Sequence, residues 1–283
     1  MVRTNLLPGA AAMLGKALLT GSLGIFLVSG ATAQGSNTNK AENQAHASAC
    51  QKLSVGGADG WEPVTYTRED GKPAGLGLDI LQSYAKNHGI TLEIRLDIPW
   101  SRSIQMLEKG ELDVLAGAYF TAERNQIFFY SAPFAYDEIM VFQDAENEFD
   151  VTGLRDLIGY RGARPQGGSY GDYIDSFAEQ RLDMIYSPTG DRILDLLQTG
   201  RVDYVMLGRF DGLANIYRDG LADEITIQEQ PLEKNEVRLL FSRTSPCLPH
   251  VKNINLLIEK LEEDGSLQRW TEAHLIDISE SGS

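Results

Sequence analysis

The chain has 283 residues, with 25 Lys and Arg against 40 Asp and Glu, giving a net charge of −15. So acidic a surface argues against nucleic acid or anionic lipid as a partner. The length suits one large or two modest domains with cores of their own.

Residues 1–33 carry Arg3 and Lys16, no acid, an apolar run from Ala17 to Val28, and then Ala31-Thr32-Ala33. That is the layout of a secretory signal peptide cleaved after Ala33. Gly21, Ser22 and Gly24 interrupt the run, which falls short of the roughly 20 apolar residues a spanning helix needs. A periplasmic chain without stable membrane insertion is therefore expected. A lipid-anchored alternative would use Cys50, which follows Ala47-Ser48-Ala49 but stands far beyond the apolar run. The polar stretch 34–50 reads as a flexible leader. Cys50 and Cys247, the two cysteines, are expected to form a disulfide in an oxidising compartment. The alternative is a pair of buried thiols. His46, His88, His250 and His274 are scattered without ligand spacing, so no metal site or other cofactor is expected.

Order is expected from Lys52, with a short strand to Val55. A helix over 78–88 places Ile80, Leu81, Tyr84 and Ala85 on one face and stops at Gly89. A strand over 91–98, a helix over 101–109 ended by Gly110 and a buried strand over 112–118 follow. After a strand over 138–143, the charged stretch 144–150 reads as a linker between lobes. The pattern then repeats: strand 160–164, glycine loop 166–171, helix 172–180, strand 183–186, helix 191–198 and strand 204–207. Strands over 225–228 and 237–242 and amphipathic helices complete the chain. Alternating strands and helices imply the α/β class. Leu107-Glu108-Lys109-Gly110-Glu111-Leu112-Asp113-Val114 and Leu197-Gln198-Thr199-Gly200-Arg201-Val202-Asp203-Tyr204 share one layout. Two similar units imply two lobes with a ligand cleft between them.

One run carries a resemblance: Trp100, Leu107-x-x-Gly110-x-x-Asp113, Gly117-x-x-x-Thr121-x-Glu123-Arg124, then Tyr130-Ser131-x-Pro133-Phe134. With Trp61-Glu62-Pro63, Gly75-Leu76-Gly77-Leu78-Asp79 and Gln166-Gly167-Gly168-Ser169-Tyr170-Gly171, it resembles the family 3 extracellular solute-binding proteins of polar amino acid ABC transporters. The resemblance covers about 50–275. It implies a two-lobed fold with mixed sheets flanked by helices and two crossover strands. Lobe 1 is expected over 51–142 and 237–276, and lobe 2 over 143–236. The implied function is capture of a small carboxylate-bearing ligand, an amino acid or related organic acid, by a monomer that delivers it to a transporter permease.

The resemblance makes Arg124 the clamp for the ligand carboxylate, a role its planar fork of donors suits. Without that run, Arg124 reads as a surface helix residue paired with Glu123 or a nearby acid. Gly117 and Thr121 are expected to frame the same pocket. Trp61 reads either as an aromatic lid or as core, and Trp100 reads as structural. Ser169 stands on the lobe-two glycine loop, as an anion contact or a helix cap.

Three departures stand out. The place where amino acid binders carry an acid for the ligand ammonium is Gly208, and a small hydroxyl residue before the Arg is replaced by Tyr119. Gly77 also stands where an acid is often found. The expectation is therefore a bulkier or differently charged acid, lined by Tyr119, Trp61 and Tyr170, with Arg209 as a second cation. Lobe closure is expected about 139–143 and 232–238.

Three other functions compete. Gly167-Gly168-Ser169-Tyr170-Gly171 is a literal G-x-S-x-G, but a hydrolase also needs a positioned His. A dehydratase of cyclic acids would use Asp211. A sensory role would pass the ligand-bound state to a membrane receptor.

Overall fold

The structure, a computed structural model, describes residues 50–188 and 192–281. The expected signal peptide, nearly all of the leader, and the start of the helix expected from Asp191 lie outside the described residues.

The first half of the fold alternates as its sequence pattern dictates. Strand β1 (Lys52–Gly56) is followed by a small hairpin, β2 (Tyr66–Thr67) with β3 (Pro73–Ala74), and then by helix α1 (Leu76–His88). Leu76, Leu78, Ile80, Leu81, Tyr84 and Ala85 bury one face of α1, and Gly89 closes it in the left-handed conformation. Strand β4 (Thr91–Arg95), helix α2 (Trp100–Glu108), strand β5 (Val114–Tyr119) and the short helix α3 (Ala122–Ile127) complete this half. All six residues of β5 are buried, as expected of a strand covered on both faces.

Helix α1 enters so close to β5 that a Cβ on Gly77 would lie 1.6 Å from the Ala116 carbonyl oxygen. No side chain fits there, which is the physical reason Gly77 stands where an acid was anticipated.

The chain then runs through β6 (Phe129–Asp144), β7 (Arg161–Pro165), α4 (Asp172–Arg181), β8 (Asp183–Ser187), α5 (Asp195–Gln198) and β9 (Tyr204–Gly208). It ends with α6 (Arg209–Asp219), β10 (Ile225–Ile227), β11 (Glu233–Phe241), α7 (Val251–Glu263) and α8 (Ser266–Ser281). The principal sheet has the order β4-β1-β5-β11-β6-β9-β7-β8, with β10 also on β6.

Strands β6 and β11 connect the two lobes. Phe129 to Pro133 and Arg238 to Phe241 belong to the first lobe's ladder, where β11 also pairs β5. Ile139 to Phe142 pair with Gly208 to Val205 of β9, inside the second lobe. Between them, Ala135 to Ile139 pair with Val237 to Glu233. The register shift beside Phe134 marks a bulge where the strands leave the first lobe. Ile139 to Phe142 thus continue the same sheet on the side of β9, and residues 145–150 follow the end of β6.

The repeated Gly-x-x-Asp units are structurally equivalent down to single hydrogen bonds. Glu111 and Leu112 N–H donate to Met106 O; Arg201 and Val202 N–H donate to Leu196 O. Asp113 then accepts from Ser54 N–H at 2.8 Å, and Asp203 from Arg161 N–H at 2.6 Å. Each Asp therefore ties its helix-to-strand turn to the neighbouring parallel strand, so both serve the scaffold.

Cys50 and Cys247 are disulfide-bonded with Cα atoms 4.9 Å apart, fastening the start of β1 to the segment after β11. The bond closes a loop of 197 residues. Replacing both cysteines by Ala is expected to lower stability by about 2–5 kcal/mol, seen as a lower urea midpoint than that of the oxidised protein.

Candidate functional site

Several of the residues expected to bind ligand lie where the two lobes face each other. Strand β5 delivers Tyr119 at its end. Thr121, one turn on, caps α3 by accepting Arg124 N–H at 3.1 Å, and this fixes where the Arg124 side chain starts.

The Arg124 guanidinium is half-buried, with its carbon 5.6 Å from the centre of the Trp100 ring. It reaches the second lobe, donating to Gly167 O at 3.4 Å. Among the described residues no carboxylate pairs with it, Glu123 included. Tyr130 stands beside it, with its hydroxyl between Thr121 N–H and Tyr119 O. Burial raises the Tyr130 pKa, against the pull of the Arg124 charge.

The lobes are in contact in this conformation. Trp100 Nε1 donates to Gly167 O at 3.1 Å, so this tryptophan is an interlobe contact as well as a packing residue. The Ala122 N–H donates to the Asp172 carboxylate at 3.1 Å, and Asn235 Nδ2 to Tyr170 O at 2.9 Å.

Behind these contacts lies a carboxylate that the sequence reading did not single out. Asp137, on the crossing segment of β6, is 1 % exposed. Its Oδ2 accepts from Tyr119 Oη at 2.6 Å and Trp61 Nε1 at 3.1 Å. The Trp61 and Tyr119 rings meet edge to face with centroids 5.0 Å apart, and Tyr170 stands 6.2 Å from Tyr119. Burial raises the Asp137 pKa, while the donors from Tyr119 and Trp61 pull it back. Burial and the Asp137 charge together push the Tyr119 hydroxyl well up.

Other expected site residues are committed elsewhere. Gly117 makes room for Val64 and Trp61, since a Cβ there would lie 2.5 Å and 3.1 Å from them. The Tyr170 hydroxyl donates to Met206 O at 2.8 Å, and its ring lies 4.3 Å from the Arg164 guanidinium carbon. Ser169 donates to Asp175 and accepts Gly171 N–H, so its hydroxyl organises the loop. Arg209, expected as a second ligand cation, has its Nε 2.7 Å from Glu138 Oε2.

The serine motif finds no imidazole among the described residues. His250 Nδ1 bonds the Tyr84 hydroxyl, and His274 lies between Tyr66 and Asp79. His88 bonds the Tyr84 carbonyl.

Asp211 begins α6, where Asn215 Nδ2 donates to it at 2.7 Å. Burial, then the charges of Asp137 and Glu62, push its pKa up to about 7. Glu62 itself is raised by burial, and its Oε2 is buried without a hydrogen bond. Three acids therefore share one side of the cleft, opposite in character to the Arg124 side.

Residues 53–276 match the model of the bacterial extracellular solute-binding proteins, family 3, and the chain belongs to that family. It is 22 % identical over 266 residues to the L-cystine-binding protein TcyJ of Escherichia coli strain K12, covering 92 % of this chain and 96 % of that one. A shorter match, 25 % identical over 152 residues, is to the membrane-bound lytic murein transglycosylase F of Aeromonas hydrophila, covering 51 % of this chain and 30 % of that protein.

Among solved structures, a histidine kinase sensor domain similar to periplasmic binding proteins superposes with TM-score 0.70 at 22 % identity, over 81 % of this chain and 97 % of that one. The amino acid ABC transporter substrate-binding protein AbpA of Streptococcus pneumoniae, bound to L-arginine, gives TM-score 0.70 at 19 % identity, over 83 % and 98 %. These structures establish the two-lobed periplasmic-binding-protein fold.

The raised Asp211 pKa fixes a pH dependence. A carboxyl whose folded pKa exceeds its unfolded value of about 3.9 stabilises the fold below that value. The contribution is lost as pH rises through about 7. Asp211→Asn should therefore raise the melting temperature at pH 8 and change it little at pH 4, as followed by circular dichroism.

Proposed function

We propose that this protein is a periplasmic solute receptor: it captures a small carboxylate-bearing ligand, an amino acid or related organic acid, between its lobes and hands it to an ABC transporter permease. The signal peptide would be removed after Ala33, and the mature protein would act as a monomer without catalysis or cofactor.

The observation that carries this reading is Arg124. A half-buried guanidinium with no acidic partner among the described residues is costly unless something supplies the countercharge. Arg124 faces the second lobe, and a carboxylate bound there would be gripped as the lobes close. Two further facts support this chemistry. The Ala122 N–H, two residues from Arg124, already donates to a carboxylate, that of Asp172. The relatives named above include proteins for L-cystine and L-arginine, both of which carry a carboxylate.

Thr121 and Tyr130 hold Arg124 in place, whereas Ser169 and Tyr170 shape the loop that closes over it. Release would follow from opening about the β6–β11 crossing. A sensory role is the second reading, motivated by the fold likeness to a kinase sensor domain. No described helix is long and apolar enough to cross a membrane, so such a role would act through a partner protein.

Calorimetry on the mature protein with L-α-amino acids, dicarboxylates and aromatic acids tests the proposal. Arg124→Ala is expected to weaken the best ligand more than about tenfold, because losing one partner of a buried charge pair costs about 2–5 kcal/mol. Unchanged affinity would remove Arg124, and the function built on it, from consideration.

A further inference from the structure

The second lobe carries a groove outside the ligand cleft, and the local sequence explains how it forms. Helix α4 buries Ile174 and Ala178. A second stripe on the same helix, Tyr173, Ser176, Phe177, Gln180 and Arg181, follows the i, i+3, i+4, i+7, i+8 spacing of one helical face. A single 3₁₀ turn, Leu154–Leu157, lies alongside, and burial of Leu154 and Leu157 leaves Arg155 and Ile158 on the outside. Between helix and turn runs an open groove of about 620 Å³. Tyr173 is 63 % exposed and Ile158 49 %, while Phe177 is partly buried.

The charges here differ from those elsewhere in this acidic chain. Arg161, Arg164, Arg192, Arg209 and Arg218 of the second lobe each have an acidic partner. Arg155 and Arg181 are exposed and belong to no ion pair among the described residues. Two acids beside the groove are already occupied. Asp156 accepts the Thr152 and Gly153 N–H groups, and Asp172 accepts the Ala122 N–H of the first lobe at 3.1 Å. Glu179, also on α4, does not line the groove. Two uncompensated guanidinium groups therefore stand beside a tyrosine and a phenylalanine, and arginine and aromatic side chains are the types enriched in protein interfaces. An anionic lipid surface fits poorly, because the net charge of −15 repels it.

We propose that this groove docks a segment of a partner protein that sets acidic side chains on Arg155 and Arg181 and an apolar side chain on Tyr173 and Phe177. This rests on the reading of the protein as a receptor that works through a membrane partner, and it adds where that partner takes hold and by what chemistry. Asp172 links the groove to the ligand. It lines the groove, and its carboxylate is held by Ala122, two residues before Arg124. That bond joins the two lobes, so this wall of the groove is fixed only while they are together. A partner seated there would distinguish the closed protein from the open one.

The test is photo-cross-linking in the native cell, with the full chain carrying p-benzoylphenylalanine in place of Tyr173 or, as a control, in place of Tyr217, which is 59 % exposed on α6. Mass spectrometry reads the segment joined to the probe. The Tyr173 probe is expected to join a membrane protein through a segment rich in Asp or Glu. Arg155→Glu with Arg181→Glu is expected to lower that yield at least about tenfold, because like charges brought face to face weaken association steeply. Changing the partner's acids to Lys should restore it. Thermal unfolding reports whether the variant folds, and Arg155→Gln with Arg181→Gln takes its place if it does not. The proposal is overturned by a Tyr173 adduct no stronger than that of Tyr217, by an adduct to a second copy of this chain or to a segment without acids, or by a folded variant that cross-links like the wild type. Each of these leaves the Arg124 reading standing. Failure of every carboxylate to bind in calorimetry removes the Arg124 reading alone.

Discussion

The arrangement depends on two long strands that run unbroken from one lobe into the other. At 16 residues, β6 extends through both ladders, and β11 accompanies it in the opposite direction. A strand cannot bend freely without breaking its hydrogen bonds, so the crossing segment is both a connection and a reference frame. Residues rooted there keep one position relative to each lobe's sheet. The lobe-tip loops, by contrast, move with their own lobe. The cleft is thus divided into a fixed floor, with Asp137 in it, and two moving walls that carry Arg124 and the Gly167 loop.

The cleft is polarised by unpaired charge. Its two most informative ionisable groups are the half-buried Arg124 and the buried Asp137, neither of which has an ion-pair partner among the described residues. Buried charges are normally matched, because desolvation is expensive. Arg164, 3 % exposed, follows that rule by pairing with Asp175 at 2.8 Å, whereas burial pushes the Glu62 and Asp211 carboxyls beside the cleft up towards their neutral forms. The exceptions therefore concentrate where lobe closure occurs. Aromatic rings, Trp61, Tyr119 and Tyr170, fill the space around them and exclude water, which strengthens any charge pairing there.

Much of the scaffold was legible in the sequence because its signals are local. Gly110 and Gly200 close their turns in the left-handed conformation, and the Asp three residues on from each announces the bond to a neighbouring strand. Alternation of strands and helices gave the fold class, and an even pair of cysteines behind a signal-peptide pattern pointed to the disulfide. The site was harder to read because its key relation joins residues distant in sequence. Gly208 was seen as a missing acid, but nothing near it in the chain reveals that Asp137, 71 positions earlier, occupies the adjoining space. The one available signal was an Asp in a strand otherwise rich in apolar and aromatic residues. The Arg209–Glu138 ion pair was hidden for the same reason, since Glu138 lies on the crossing strand. Turn-rich composition at 144–150 draws attention as a linker, while the long pairing of β6 with β11 joins residues distant in sequence.

The disulfide has a topological meaning beyond stability. Everything from the start of β1 to the segment after β11 lies inside the ring closed by Cys50 and Cys247, and the whole second lobe is an excursion between two crossings of that ring. Both of its points of attachment sit side by side in one antiparallel ladder. The second lobe is therefore a cassette: a segment exchanged between Ile139 and Glu233 would enter and leave the host at neighbouring residues. Such an exchange would carry over a new closing wall, while Arg124 and the hinge floor remained those of the recipient.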